Sequence, residues 1–289
     1  MDEFVSPTSD IFVLYLLGKE ENSDLLVNFI NAVLVDADFD PIVTALVKNP
    51  FNLRNFVNDK ESILDVKAVD DSGRIYDIEI QNAGGSNYRN RAIFYWSRNY
   101  SAQLKDSENY NKLKPVVSIN LLGVDFGLFK DNLKIHRCFL AIDKNDRALI
   151  LTDHFQLHFI QLKRALEYYN SIGNEVKTDL KDWIDYFLYE GKEIEKMEHA
   201  LKNNPIIRKA HSNYKVFTAS EELREMNNAR EKYKRDMATQ LEDRWQEGIE
   251  QGIEQEKLDF AIKMIAKGMN NNLIHELTDL SFEEIGKLK

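Results

Sequence analysis

Cysteine is almost missing from this chain. Cys138 is the single one among 289 residues, so no internal disulfide can form, and no Cys/His set for a structural zinc accompanies it. Proline is also scarce, and five prolines and twelve glycines without clustering leave no low-complexity linker, which predicts regular structure throughout. No apolar run reaches the roughly 18 residues of a membrane span, and Met1-Asp2-Glu3 is no basic leader. The expectation is a soluble cytoplasmic protein with no membrane partner. Positive charge is in deficit too, and a net charge of -10 excludes a broad polyanion-binding surface. The deficit is uneven. Between Gly84 and Pro115, Arg89, Arg91, Arg98, Lys105, Lys112 and Lys114 stand against only Asp106 and Glu108, a net +4, and nucleic-acid contact is expected there.

Apolar side chains are plentiful: 43% hydrophobic residues suffice for a packed core in a chain of this length. Ser6 and Pro7 suit the N-cap and first position of a helix running to Leu17. Leu25, Leu26, Phe29, Ile30, Val33 and Leu34 follow at helical spacing. Residues 42 to 58 are ambiguous, with Leu53, Phe56 and Val57 as strand candidates. Ser62 to Val69 and Arg74 to Gln81 read as two strands joined through Asp70-Asp71-Ser72-Gly73, a hairpin signal. Asn90 to Lys105 reads as a helix; Val116 to Leu122, Arg137 to Ile142 and Leu157 to Leu162 read as strands. Cys138 is expected as a small core residue.

Beyond Leu166 the chain turns helical and charged. Tyr233, Met237, Leu241, Trp245, Ile249 and Ile253 recur every four residues, and Gly248-Ile249-Glu250-Gln251 is repeated as Gly252-Ile253-Glu254-Gln255. That stripe suits a long helix lying along another surface. The tail reads as Leu258 to Lys267, Gly268 as a C′ residue, a short helix near Leu273 and Ser281-Phe282-Glu283-Glu284 as a capping box. A helix-turn-helix DNA reader would fit that outline, but Glu283 and Glu284 are a poor complement to phosphate. The boundaries expected are 1–165 for an α/β core, 166–257 for a charged helical extension and 258–289 for a small helical tail.

The chemistry concentrates on the hairpin. Alternate side chains of a strand share a face, so Asp77, Glu79 and Gln81 lie together. A three-residue loop with Gly73 left-handed pairs Asp70 with Arg74, sets Lys67 opposite Asp77, and brings Asp65 opposite Glu79, their Cβ atoms about 5 Å apart. Two carboxylates so placed repel unless a hard cation such as Mg²⁺ lies between them, and such an ion serves phosphodiester hydrolysis. A solvated face with Lys67 paired to Asp77 is the alternative this geometry leaves open. His154 and His158, in loop and strand, are expected to pack or lie at the surface. There is no Gly-x-Ser-x-Gly elbow and no glycine-rich phosphate loop.

Ile63-Leu64-Asp65-Val66-Lys67, Gly73 and Asp77-Ile78-Glu79-Ile80-Gln81 together resemble the catalytic hairpin of the recombination-promoting nuclease and transposase-like family, a branch of the PD-(D/E)XK nuclease superfamily. Ser6 to Asp10, Arg91 to Ser97, Tyr100 to Leu104, Leu113 to Ile119, Leu151 to His154, the Gly-Ile-Glu repeats and Met269 to Leu288 extend the resemblance over nearly the whole chain. It implies a PD-(D/E)XK nuclease-like α/β core of order αβββαβ, a central mixed sheet flanked by helices, with a helical C-terminal extension. It also implies an Mg²⁺- or Mn²⁺-dependent DNA endonuclease linked to recombination or mobile elements. Asp65 and Glu79 then correspond to the metal-binding carboxylates, Gln81 stands where the superfamily usually has lysine, and Asp10 is an auxiliary acid from the first helix. Gln81 brings no charge but can orient water or phosphate. Val13-Leu14 stands where the family often has Phe-Lys. Arg89, Arg91, Arg98 and Lys105 are the expected DNA contacts, and the C-terminal helices the expected means of pairing two copies. The alternative is a catalytically weak or inactive oligomeric interaction module.

Overall fold

The computed structural model describes residues 4–49, 51, 65–82, 87–124, 134–172 and 178–288. The strand candidates at Leu53, Phe56 and Val57, and the start of the 62–69 run, lie outside the described residues. The chain divides into two compact units, Met1–Ala229 and Arg230–Lys289.

The first unit opens with α1 (Asp10–Leu17) and α2 (Ser23–Asp36). Helix α1 is capped by Ser9, whose hydroxyl accepts from the Phe12 N–H at 3.1 Å. This corrects the expected start at Ser6: the Ser6 hydroxyl bonds Thr8 Oγ1 instead, and Ser9 closes a turn onto the Ser6 carbonyl. Because Ile11 to Leu17 are all apolar and all buried, α1 is a core element on every side.

Among the described residues, six strands form one mixed sheet: β1 (Leu46–Val47), β2 (Val66–Val69), β3 (Ile75–Gln81), β4 (Val116–Leu122), β5 (His136–Leu140) and β6 (Phe155–Gln161), in the order β1-β2-β3-β4-β6-β5. Strands β1, β2 and β3 pair antiparallel, β3, β4 and β6 parallel, and β5 closes the other edge antiparallel. The crossover from β3 to β4 runs through α3 (Tyr88–Ser101), as a parallel pair requires. Every residue of β4 is buried, the mark of a central parallel strand covered on both faces.

One face of the sheet carries Val66, Ala68, Tyr76, Ile78, Val117, Ile119, Leu121 and Ile160 into the main core with α1 and α2. Helices α4 (Ala165–Ile172), α5 (Asp179–Tyr189), α6 (Glu198–Asn203) and α7 (Pro205–Ala219) belong to the same unit, and Trp183, Phe187, Ile207 and Phe217 complete that core. Against the other face packs α3, where Tyr88 and Ala92 meet Leu122, Leu157 and Phe159. Consequently the polar residues on this second face of β2 and β3 lie beneath α3.

Helix α8 (Glu221–Ala266) runs on past Leu258 without a break. In the second unit, α9 (Asn271–Thr278) and the capping-box helix α10 (Phe282–Lys287) fold back so that Ala261, Met264, Ile274, Leu280 and Ile285 form a small core, with Gly268 left-handed at φ 75°. Among the described residues, no helix is long and apolar enough to cross a membrane.

Candidate active site

The hairpin turn is built by Asp70, whose Oδ1 accepts from the backbone N–H of Ser72 and of Arg74, each at 2.9 Å, and from the Ser72 hydroxyl at 2.7 Å. Gly73 takes φ 88°, which only glycine adopts without strain. The resulting register pairs Lys67 with Asp77 and Val66 with Ile78, so the next step outward sets Asp65 opposite Glu79. Asn49 fixes the open end, since its amide donates to the Asp65 carbonyl and its Oδ1 accepts from Lys67 N–H at 2.7 Å.

Asp65, Asp77 and Glu79 each offer a carboxylate oxygen within 4.8 Å of the others. Asp77 is 1% exposed and Glu79 is 3% exposed. Burial, then the Glu79 and Asp77 charges, push Asp65 up to about 8, against the pull of Lys67 and Arg91. Burial and Asp77 push Glu79 up to about 7, and burial also raises Asp77. Asp77 Oδ1 and Glu79 Oε1 are buried and, among the described residues, accept no hydrogen bond. Three clustered carboxylates with two unused buried oxygens fit a hard divalent cation, which binds oxygen ligands and would relieve both the repulsion and the missing contacts.

Helix α3 supplies the surroundings. The Tyr88 hydroxyl lies 2.8 Å from Asn120 Oδ1 and 3.4 Å from Glu79 Oε2, while Asn120 donates to Ser118 Oγ and to the His158 carbonyl. Asn99 donates to Asp77 Oδ2 and accepts the Lys67 ammonium at 3.1 Å.

Asp65 and Glu79 thus come together as the register predicts, and Asp77 joins them. Gln81 is half-buried at the end of β3. Asp10, in the first turn of α1, caps the Ile11 N–H at 3.0 Å and is not one of the three clustered carboxylates. Arg89, Arg91 and Arg98 are exposed on α3, Arg91 with its guanidinium 5.3 Å from the Tyr95 ring centre, and Lys105 is exposed beyond the helix. Val13 and Leu14 are buried in the core.

Asp77, Tyr88, Asn99 and Asn120 were not assigned from sequence. The alternation along β3 already placed Asp77 beside Glu79. Tyr88, Ala92 and Asn99 share a helical face, but which face of α3 meets the sheet is a tertiary fact.

The profile of the PD-(D/E)XK nuclease family transposases matches residues 7–244. No curated protein and no solved structure matches the chain. With the mixed sheet, the carboxylates of its hairpin and the match over most of its length, this chain belongs to the PD-(D/E)XK nuclease family transposases.

Proposed function

We propose that the protein is a divalent-metal-dependent DNA endonuclease acting in recombination or on mobile elements. The observation that carries this reading is the clustered trio of half-buried Asp65 and buried Asp77 and Glu79, with two buried oxygens unused among the described residues. Asp65 and Glu79 would hold Mg²⁺ or Mn²⁺, with Asp77 as a further ligand. When bound, such an ion polarises a phosphodiester and makes water a better nucleophile near neutral pH. Gln81 and Asp10, at the ends of β3 and α1, would orient water or phosphate at the rim. Tyr88 and Asn120 keep Glu79 in place, and the exposed Arg89, Arg91, Arg98 and Lys105 would track the DNA backbone.

Plasmid cleavage by the parent chain and by Asp65→Ala, with Mg²⁺ or Mn²⁺, tests the reading. The parent should cut and the variant should lose about 10³-fold, the order of several kcal/mol of barrier. Equal cutting by both would remove Asp65 from the chemistry.

A second reading, an oligomeric interaction module, is favoured by the exposed Met237, Leu241, Trp245, Ile249 and Ile253 of α8. Such a row supports pairing of two copies. A Trp245→Glu variant should shift a dimer to monomer in sedimentation; an unchanged mass would exclude pairing through that row.

A further inference from the structure

Among the described residues, Lys67 is the one cation built into the hairpin face itself. It lies two residues from Asp65 on the same side of β2 and opposite Asp77 in register, half-buried. Its charge lowers the pKa of Asp65, Asp77 and Glu79 alike. Yet among the described residues no carboxylate closes a salt bridge with it. Asn99 stands between, accepting from Lys67 Nζ and donating to Asp77, so the ammonium is steered by a neutral amide. An ammonium has three N–H donors, and Asn99 takes one.

The formal charges indicate what the remaining donors meet. Three carboxylates and one divalent ion sum to a single negative charge, which would repel a phosphodiester. Lys67 brings the sum to zero, and the exposed Arg91 of α3 adds a positive charge whose field lowers the pKa of Asp65 and Glu79. Gln81, next on the same face of β3, is neutral. With Lys67 counted, the site carries no net negative charge, so a phosphodiester whose charge grows during hydrolysis is not repelled from it.

We propose that Lys67 is a catalytic residue that binds a non-bridging oxygen of the scissile phosphate and stabilises the charge that develops there. This rests on the nuclease reading above. In the reaction a water oxygen forms a new bond to phosphorus as the bond from phosphorus to one bridging oxygen breaks. The departing oxygen takes up a proton, and the water loses one to solvent. Lys67 keeps its own protons throughout and acts by charge and hydrogen bonding.

The test uses the full chain and the variants Lys67→Met, Lys67→Arg, and Lys67→Met with Gln81→Lys. Circular dichroism establishes that each is folded. Lys67→Met should cut plasmid about 10²-fold more slowly, the order lost with one oxyanion donor. Lys67→Arg should retain most activity, and Gln81→Lys should restore part of what Lys67→Met loses. In Ca²⁺, the slope of log DNA affinity against log salt should fall by about one for Lys67→Met, as for loss of one phosphate contact. Mn²⁺ titrated calorimetrically should bind Lys67→Met at least as tightly as the parent, since a positive charge beside the carboxylates is gone.

Parent-like cutting with an unchanged salt slope would overturn the proposal and leave the nuclease reading standing. Loss of Mn²⁺ binding in folded Lys67→Met would also overturn it, by making Lys67 a support for the carboxylates. If the parent leaves DNA intact in both metals, the nuclease reading fails. The salt slope then decides the phosphate contact alone: a fall of about one upholds it, and no change refutes it.

Discussion

Two sets of ionisable groups lie on opposite faces of the same sheet, and they differ in what their polar atoms touch. On the α3 side, Asp65, Asp77 and Glu79 share one sign of charge, and two of their buried oxygens accept nothing from the described residues. Across the sheet, Asp36, His136, His158 and Cys138 form a chain: His136 Nδ1 sits 2.6 Å from Asp36 Oδ2, His136 Nε2 lies 3.0 Å from His158 Nδ1, and Cys138 Sγ is 3.7 Å from His158 Nε2. One proton order satisfies every member, with Cys138 donating to His158, His158 to His136 and His136 to Asp36. Burial and the neighbouring His136 hold His158 down to about 3, and burial pushes the Cys138 thiol up to about 12. Glu190, buried between α5 and α7, is likewise fully used, accepting from His211 at 2.8 and 3.0 Å and from the Gly191 N–H. Charge that is buried and matched holds a fold together, whereas buried charge of one sign with idle oxygens points to a ligand.

The largest expected effect separates the two kinds by stability. Glu190→Ala strands His211 in a buried pair and should cost about 3–5 kcal/mol in denaturant unfolding, the usual cost of breaking a buried pair, with Mn²⁺ affinity unchanged. Asp65→Asn should do the reverse, keeping metal-free stability at pH 8 at or above that of the parent while weakening Mn²⁺ binding at least about tenfold, a loss of about 1.4 kcal/mol.

The two faces should also respond to pH with opposite signs. Asp65 and Glu79 have raised folded pKa values, so between roughly pH 4 and 8 the folded state binds more protons than the unfolded one, and metal-free stability falls as pH rises. His158 has a depressed value, so between roughly pH 3 and 6.5 the unfolded state binds more protons, and stability rises with pH. Above pH 6.5 only the carboxylate effect remains of the two. Thermal melts from pH 6.5 to 8 should therefore decline in the metal-free parent, decline less in Asp65→Asn, and flatten in the double variant Asp65→Asn, Glu79→Gln and in the parent with Mn²⁺. A decline that Mn²⁺ leaves untouched would break the comparison.

A smaller effect concerns Cys138. With its thiol held protonated, alkylation at pH 8 should be slow in the folded protein and fast in urea. Cys138→Ala should cost about 1 kcal/mol, one modest hydrogen bond.

The hairpin was legible from sequence because its determinants are local. Asp70 and Gly73 set the turn, the turn sets the register, and the register sets Asp65 against Glu79. Asn99 and Tyr88 were not legible, since their place depends on how α3 settles over β4 and β6. For the same reason the direct pairing of Lys67 with Asp77, left open as the alternative to a metal site, gives way to a bridge through Asn99. The start of α1 shows a limit of local reading as well: Ser6 and Ser9 offer the same hydroxyl, and burial of everything from Ile11 onward selects Ser9. His158 reads as a packing residue in sequence and is one, but its link through His136 to Asp36 joins β6, β5 and the end of α2, which no local pattern reveals.

The claim that the carboxylate trio is a divalent-cation site is tested most directly by titrating Mn²⁺ calorimetrically into the metal-free protein near pH 7 in buffers of different ionisation enthalpy. Because Asp65 and Glu79 are held at about 8 and 7 without an ion, binding must expel protons. The prediction is one site whose apparent heat changes with the buffer and which is lost in the double variant Asp65→Asn, Glu79→Gln. Absence of binding, or binding that the double variant retains with no proton release, would contradict it.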